Sequence, residues 1–187
     1  MKRINATGLL SLFSFLLLCL FASPRALTAA VSQEAEVRGV VLRVFQQLKA
    51  RDYGSLYDEL PSSSRNRMSR ERFTNALARA QGIYVLDRMD VGAIRVGNGI
   101  AVVDTVLFGR VAKPFETEGK IVAQQYLIRQ DSRWRVATGD SATTRRFLAN
   151  NPEFSRKFPI KQPRVYIKRN GAWVEFTPGN ARSATTN

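Results

Sequence analysis

In "IAVVDTVLFGRV", residues 100–111, one carboxylate stands in an otherwise apolar run. Two-residue alternation puts Ile100, Val102, Asp104, Val106, Phe108 and Arg110 on one face of a strand, with Asp104 between two valines. An unpaired carboxylate there is costly to ionise, and a raised pKa suits a general acid or base. The competing expectation is an ion pair with an arginine such as Arg110 or Arg129. In "EGKIVAQQYLIRQ", residues 118–130, Gln124 and Tyr126 share a face with Val122 and Ile128. With Asp104 they would line one wall of a pocket, Tyr126 serving as electrophilic partner if Asp104 is a base. Ordinary cross-strand packing is the plainer role for both. Tyr57, on a helix face with Leu60, is the remaining ligand-binding candidate and suits packing equally. Asp140, after Gly139 and before "SATTRRFLANN", reads as a helix N-cap rather than a catalyst.

The chain has no histidine and one cysteine, Cys19. Histidine-activated nucleophiles and the commonest zinc and iron ligands are therefore excluded. No Asp-rich calcium loop appears either, so neither a metal nor a cofactor is expected. Residues 9–22, "LLSLFSFLLLCLFA", form an uncharged run after a basic "MKR" and before the small residues Thr28 and Ala30. This is the plan of a secretory signal peptide over 1–30, cleaved after Ala30, and the run is short for a bilayer span. Acylation at Cys19 is the alternative, disfavoured by Leu18 in the preceding position. The expected localisation is secreted or periplasmic, and removal of the leader would leave no cysteine.

Charge is uneven. Residues 31–140 hold 17 basic and 13 acidic side chains, whereas 141–187 hold nine and two. Arg145, Arg146, Arg156, Lys157, Lys161, Arg164, Lys168 and Arg169 make the last quarter a basic extension, interleaved with Phe147, Phe154 and Phe158. The expected partner is an anionic envelope surface or an acidic protein; nucleic acid is not expected outside the cytoplasm.

Three helices must come first. Val37, Val40, Val41, Val44, Phe45 and Leu48 form one helical face. "DYGSLYDELP" gives a short second helix stopped by Pro61, "SSSRNR" a polar loop, and "MSRERFTNALARAQG" a third helix capped by Ser69. Beyond Gly82 the period becomes two. "IYVLDRMDVGAIRV" is one strand or two, and Asn98-Gly99 and "DS" at 131–132 mark hairpin turns. A further hairpin turns at Asn170-Gly171. The fold class is α+β: three N-terminal helices on a curved antiparallel sheet, cone-like, with a C-terminal helix and β-hairpin over 141–187 and a frayed end, "GNARSATTN".

The segments "LKARDYGSLYDELP", "SRERF" and "QQYLIRQDSRWRVATGD" resemble the nuclear transport factor 2-like superfamily, over residues 33–140. The ketosteroid isomerases and SnoaL-like cyclases belong to it. The resemblance implies a cone domain over 31–140 with a pocket at its open end. It does not carry catalytic residues over, since the family's dehydratases use a histidine. The expected function is an exported, non-catalytic protein that binds a small apolar ligand or a protein partner. The alternatives are a small cofactor-independent isomerase or cyclase using Asp104, and a homodimeric assembly module.

Overall fold

The computed structural model describes residues 25–80, 84–113 and 116–176. The chain divides into Met1–Ser32 and Gln33–Asn187. Nearly all of the leader, the acylation alternative at Cys19 and the frayed end lie outside the described residues.

Four helices precede the strands rather than three: α1 (Arg25–Ala50), α2 (Tyr53–Asp58), α3 (Ser62–Arg67) and α4 (Arg70–Ala80). The additional one, α3, is the segment "SSSRNR", expected as a loop. Pro61 stops α2, but its fixed φ of −59° also places it as the residue that opens α3. Ser64, polar in the sequence, is buried there because its hydroxyl finds a carboxylate, described below. Ser69 caps α4, its hydroxyl accepting from the Arg72 amide at 3.3 Å.

The strands are β1 (Tyr84–Gly97), β2 (Ile100–Val111), β3 (Thr117–Gln130) and β4 (Arg133–Val136). Helices α5 (Ser141–Ala149) and α6 (Pro152–Lys157) follow, then β5 (Arg164–Arg169) and β6 (Ala172–Glu175). All pairings are antiparallel, so the architecture is α+β around one six-stranded sheet in the order β1-β2-β3-β5-β6. Strand β3 is long enough to serve two neighbours on one edge: residues 127–130 pair with β4, and 119–122 pair with β5. The C-terminal hairpin is thus part of the main sheet, which removes the marginality of an isolated two-stranded unit.

Three turns carry consecutive residues at positive φ: Asn98-Gly99, Asp131-Ser132 and Asn170-Gly171. That geometry matches the twist of two-residue hairpins. Strand β1 is continuous, with register shifts after Leu86 and Val91.

The sheet buries both faces, with different partners. On one face Val37, Val40 and Val41 of α1 pack on Ala101, Val103, Leu127, Trp134 and Val136, with Met89, Val91 and Ile94 at the margin. On the other, Leu148 and Phe154 of α5 and α6 pack on Ile100, Val102 and Tyr126. Two cores therefore sit back to back on the alternating residues of β2, where residues 100–103 are all almost fully buried.

Candidate functional site

Asp104 and Gln124 are cross-strand partners, and Val102 pairs with Tyr126. The three polar side chains meet as the alternation implied. Arg95 of β1 donates to Asp104 Oδ2 at 2.7 Å, and Gln124 Nε2 donates to Oδ1 at 3.2 Å. Gln124 Oε1 accepts from the Tyr126 hydroxyl at 2.7 Å and from the Lys161 amide at 3.1 Å. The chain of hydrogen bonds therefore runs from β1 through β2 and β3 to the segment after α6, which it fastens to the sheet.

The partner of Asp104 is Arg95, not Arg110 or Arg129. Arg110 faces Asp87 at 3.9 Å, and the Arg129 guanidinium lies 5.9 Å from the Trp134 ring centre. The Arg95 hydrogen bond, helped by Gln124, holds the Asp104 carboxyl below its ordinary range against the upward effect of burial. A general acid or base near neutral pH needs the opposite shift. Burial raises the Tyr126 hydroxyl, which is already committed as a donor. Tyr57 is not part of this group. Its hydroxyl donates to the carbonyls of Arg65 and Met68 at 3.1 and 2.8 Å, and its ring packs 5.7 Å from that of Phe73.

Asp140 caps α5, accepting from the Thr143 amide at 3.0 Å. It also accepts from the Thr143 hydroxyl at 2.8 Å, from the Ser64 hydroxyl at 2.6 Å and from Arg67. Burial alone would raise its pKa; the Ser64 and Thr143 hydrogen bonds and the Arg67 charge bring it down to about 2. The cap thereby joins α3 to α5.

An apolar cleft lies on the α1 face, away from Asp104. It has a volume of about 260 Å³ and is lined by Leu48, Tyr53, Leu77, Leu86, Leu107 and Ile121, with Lys49 and Arg51 at its rim. It is small beside clefts of roughly 300–1,000 Å³ that hold drug-sized ligands. A second hollow of about 60 Å³, between α1 and Met89, Gln125 and Val136, shares Leu48 and Leu107 with it.

Local sequence explains the cleft's floor. Gly109 and Gly119 are cross-strand partners. With no side chain on either, the Tyr84 ring lies across the strands; a Cβ on Gly109 would come 2.9 Å from it and 2.1 Å from the Val85 carbonyl oxygen. The Tyr84 hydroxyl donates to the Gly119 carbonyl at 3.0 Å, and burial pushes its pKa up to about 12.

The rim has a different origin. Helix α1 ends with the Asp52 amide donating to the Gln47 carbonyl at 2.9 Å and the Arg51 amide to Leu48 at 3.3 Å. This closure needs a left-handed residue, usually glycine. Arg51 takes it at φ 66°. A costly conformation is thus held by a cation at the cleft mouth, next to Lys49, whose ammonium donates to the Asp87 carbonyl at 2.7 Å. The Tyr53 hydroxyl has no protein partner among the described residues.

Sequence reasoning did not reach Leu48, Arg51, Tyr53, Leu77, Tyr84 or Ile121 as site residues. The readable signals were the glycines at 109 and 119 inside strand patterns and the absence of glycine after Ala50.

The basic residues of the extension are dispersed. Arg145 and Arg146 are exposed on α5, and Arg156 pairs with Glu153 at 3.4 Å. The Lys157 ammonium lies 5.6 Å from the Phe158 ring centre, and Arg169 is exposed at the hairpin end. Arg164 and Lys168 stand on β5, on the sheet face shared with Lys120.

No protein-family model matches the chain, and no curated protein matches it.

Proposed function

We propose that this is an exported binding protein for a small apolar molecule with an anionic end, held without chemistry in the cleft between α1, α4 and the sheet. The observation that carries the reading is the pairing of an apolar wall with Arg51. Leu48, Leu77, Leu86, Leu107 and Ile121 favour burial of a hydrocarbon body. Arg51 and the Tyr53 hydroxyl offer donors to a carboxylate or sulfonate at the mouth. The nuclear transport factor 2-like resemblance supports it, because that superfamily's pocket opens between its helices and a curved sheet. Export rests on the leader-like residues 1–30. Asp104 takes no part, since its side chain is on the sheet face opposite the cleft.

The test is a titration with anilinonaphthalene sulfonate, an apolar anion, on the full chain. Leu77→Trp fills the cleft and should abolish saturable binding. Arg51→Gly should weaken binding about tenfold, the size of one charge-assisted hydrogen bond, while leaving stability equal or higher because the left-handed position is relieved. Equal affinity in wild type and Leu77→Trp would sink the cleft as the site. Equal affinity in Arg51→Gly would remove the anionic end from the reading.

A further inference from the structure

Beyond the end covered by α5 and α6, the same sheet face carries one row across five strands. Arg88 pairs with Phe108, Phe108 with Lys120, Lys120 with Tyr166, and Tyr166 with Glu175. Trp173, cross-strand from Lys168, adjoins the row with its ring 6.4 Å from that of Phe108. Cations stand over the rings: Arg88 is 3.7 Å from the centre of Phe108, and Lys120 is 4.7 Å from Trp173 and 5.1 Å from Tyr166. Arg164 is 5.9 Å from Tyr166. Among the described residues Lys120 and Arg164 have no carboxylate partner, while Arg88 is 3.6 Å from Asp90 and Lys168 is 2.9 Å from Glu118.

We propose that this face docks on a membrane surface bearing anionic phosphate head groups, with Lys120 and Arg164 as the central contacts and Trp173 at the interface. The aromatic rings hold the cations in place, so the side chains lose less freedom on binding. Arg88 and Lys120 are two strands apart, about 10 Å, too far for one phosphate to bridge and suited to separate anions in a plane. Single-stranded nucleic acid needs free ring faces for base stacking, and here cations stand over those faces. Tryptophan, apolar with one polar edge, favours the head-group region. The cleft residues play no part, so this docking stands or falls independently of ligand binding.

The experiment is sedimentation of the full chain with vesicles of phosphatidylglycerol mixed with phosphatidylcholine, against phosphatidylcholine alone. Residues 9–22 are the same in every variant and meet both kinds of vesicle, so any contribution from them cancels in the comparison. Wild type should bind the anionic vesicles more tightly, with salt weakening the difference. Lys120→Gln/Arg164→Gln should lose about 30-fold, at ~1 kcal/mol for each cation near the surface. Arg145→Gln/Arg146→Gln, with the same charge change on α5, should lose under about threefold of that affinity. Trp173 fluorescence should shift to the blue on binding and Trp134, which is buried, should not respond. Equal losses in the two double variants would overturn the proposal in favour of diffuse charge attraction. A single-stranded oligonucleotide that binds more tightly than the vesicles would overturn it in favour of nucleic acid. Absence of any vesicle-dependent difference would overturn it outright.

Discussion

Asp140, the cap of α5, and Asp104, within β2, both have carboxyl groups held below their usual range, yet they differ in what they secure. Asp140 is 18% exposed and accepts from a helix amide, two hydroxyls and an arginine. Asp104 is 37% exposed and accepts from one arginine and one amide side chain. The first joins two helices distant in sequence, α3 and α5. The second holds the stretch around Lys161 against the sheet through Gln124. What each carboxylate secures follows the donors that converge on it, four on Asp140 and two on Asp104.

The largest effect should come from Asp140→Ala, which removes the cap and leaves Arg67, Ser64 and Thr143 without their acceptor. A loss of about 2–3 kcal/mol in urea unfolding is expected. Asp104→Ala should cost about 1 kcal/mol, because water can reach Arg95. Its local signature is faster amide exchange at Lys161 than in wild type, with α1 amides unchanged. A cost for Asp104→Ala equal to or above that of Asp140→Ala would break the comparison.

Acid should separate the two in the same order. Asp140 titrates at about 2 in the folded chain against an ordinary 3.8. A lowered folded pKa gives stability that is complete above the unfolded value and lost as pH falls through the folded one. Between pH 4 and pH 2, wild type should therefore lose more stability than Asp140→Asn does, measured by urea midpoints at each pH. The Asp104 carboxyl is also lowered, so Asp104→Asn should flatten the same profile by a smaller amount. A neutral, half-buried contact gives the reference: Tyr84→Phe should cost about 1 kcal/mol, no more than Asp104→Ala, and should delete one phenol that titrates near 12 in ultraviolet absorbance. A Tyr84 phenol titrating at the ordinary value of 10.0 would show that the Gly109–Gly119 floor does not bury it.

Much of the local structure was readable. The glycine-containing turns, the α1 stripe and the Asp140 cap follow from short-range rules. The cross-strand meeting of Asp104 with Gln124 follows from alternation once β2 and β3 pair. What alternation leaves open is which layer covers each face. Both faces of β2 at residues 100–103 are apolar, so nothing local assigns Asp104 to the α1 side or to the α5–α6 side. The "SSSRNR" helix was unreadable for a related reason: serine at 64 is buried only because Asp140, 76 residues away, accepts from it.

Residue types and spacing by themselves determined an α+β chain with helices first, antiparallel strands after, and no imidazole in its chemistry. The tertiary structure alone decided that Arg95 neutralises Asp104, that Tyr84 lies over two facing glycines, and that the apolar cleft opens beside Arg51. The physical reason is range. Backbone propensity, capping and alternation act within a few residues, whereas a pocket and an ion pair depend on the packing of elements that the chain brings together from far apart.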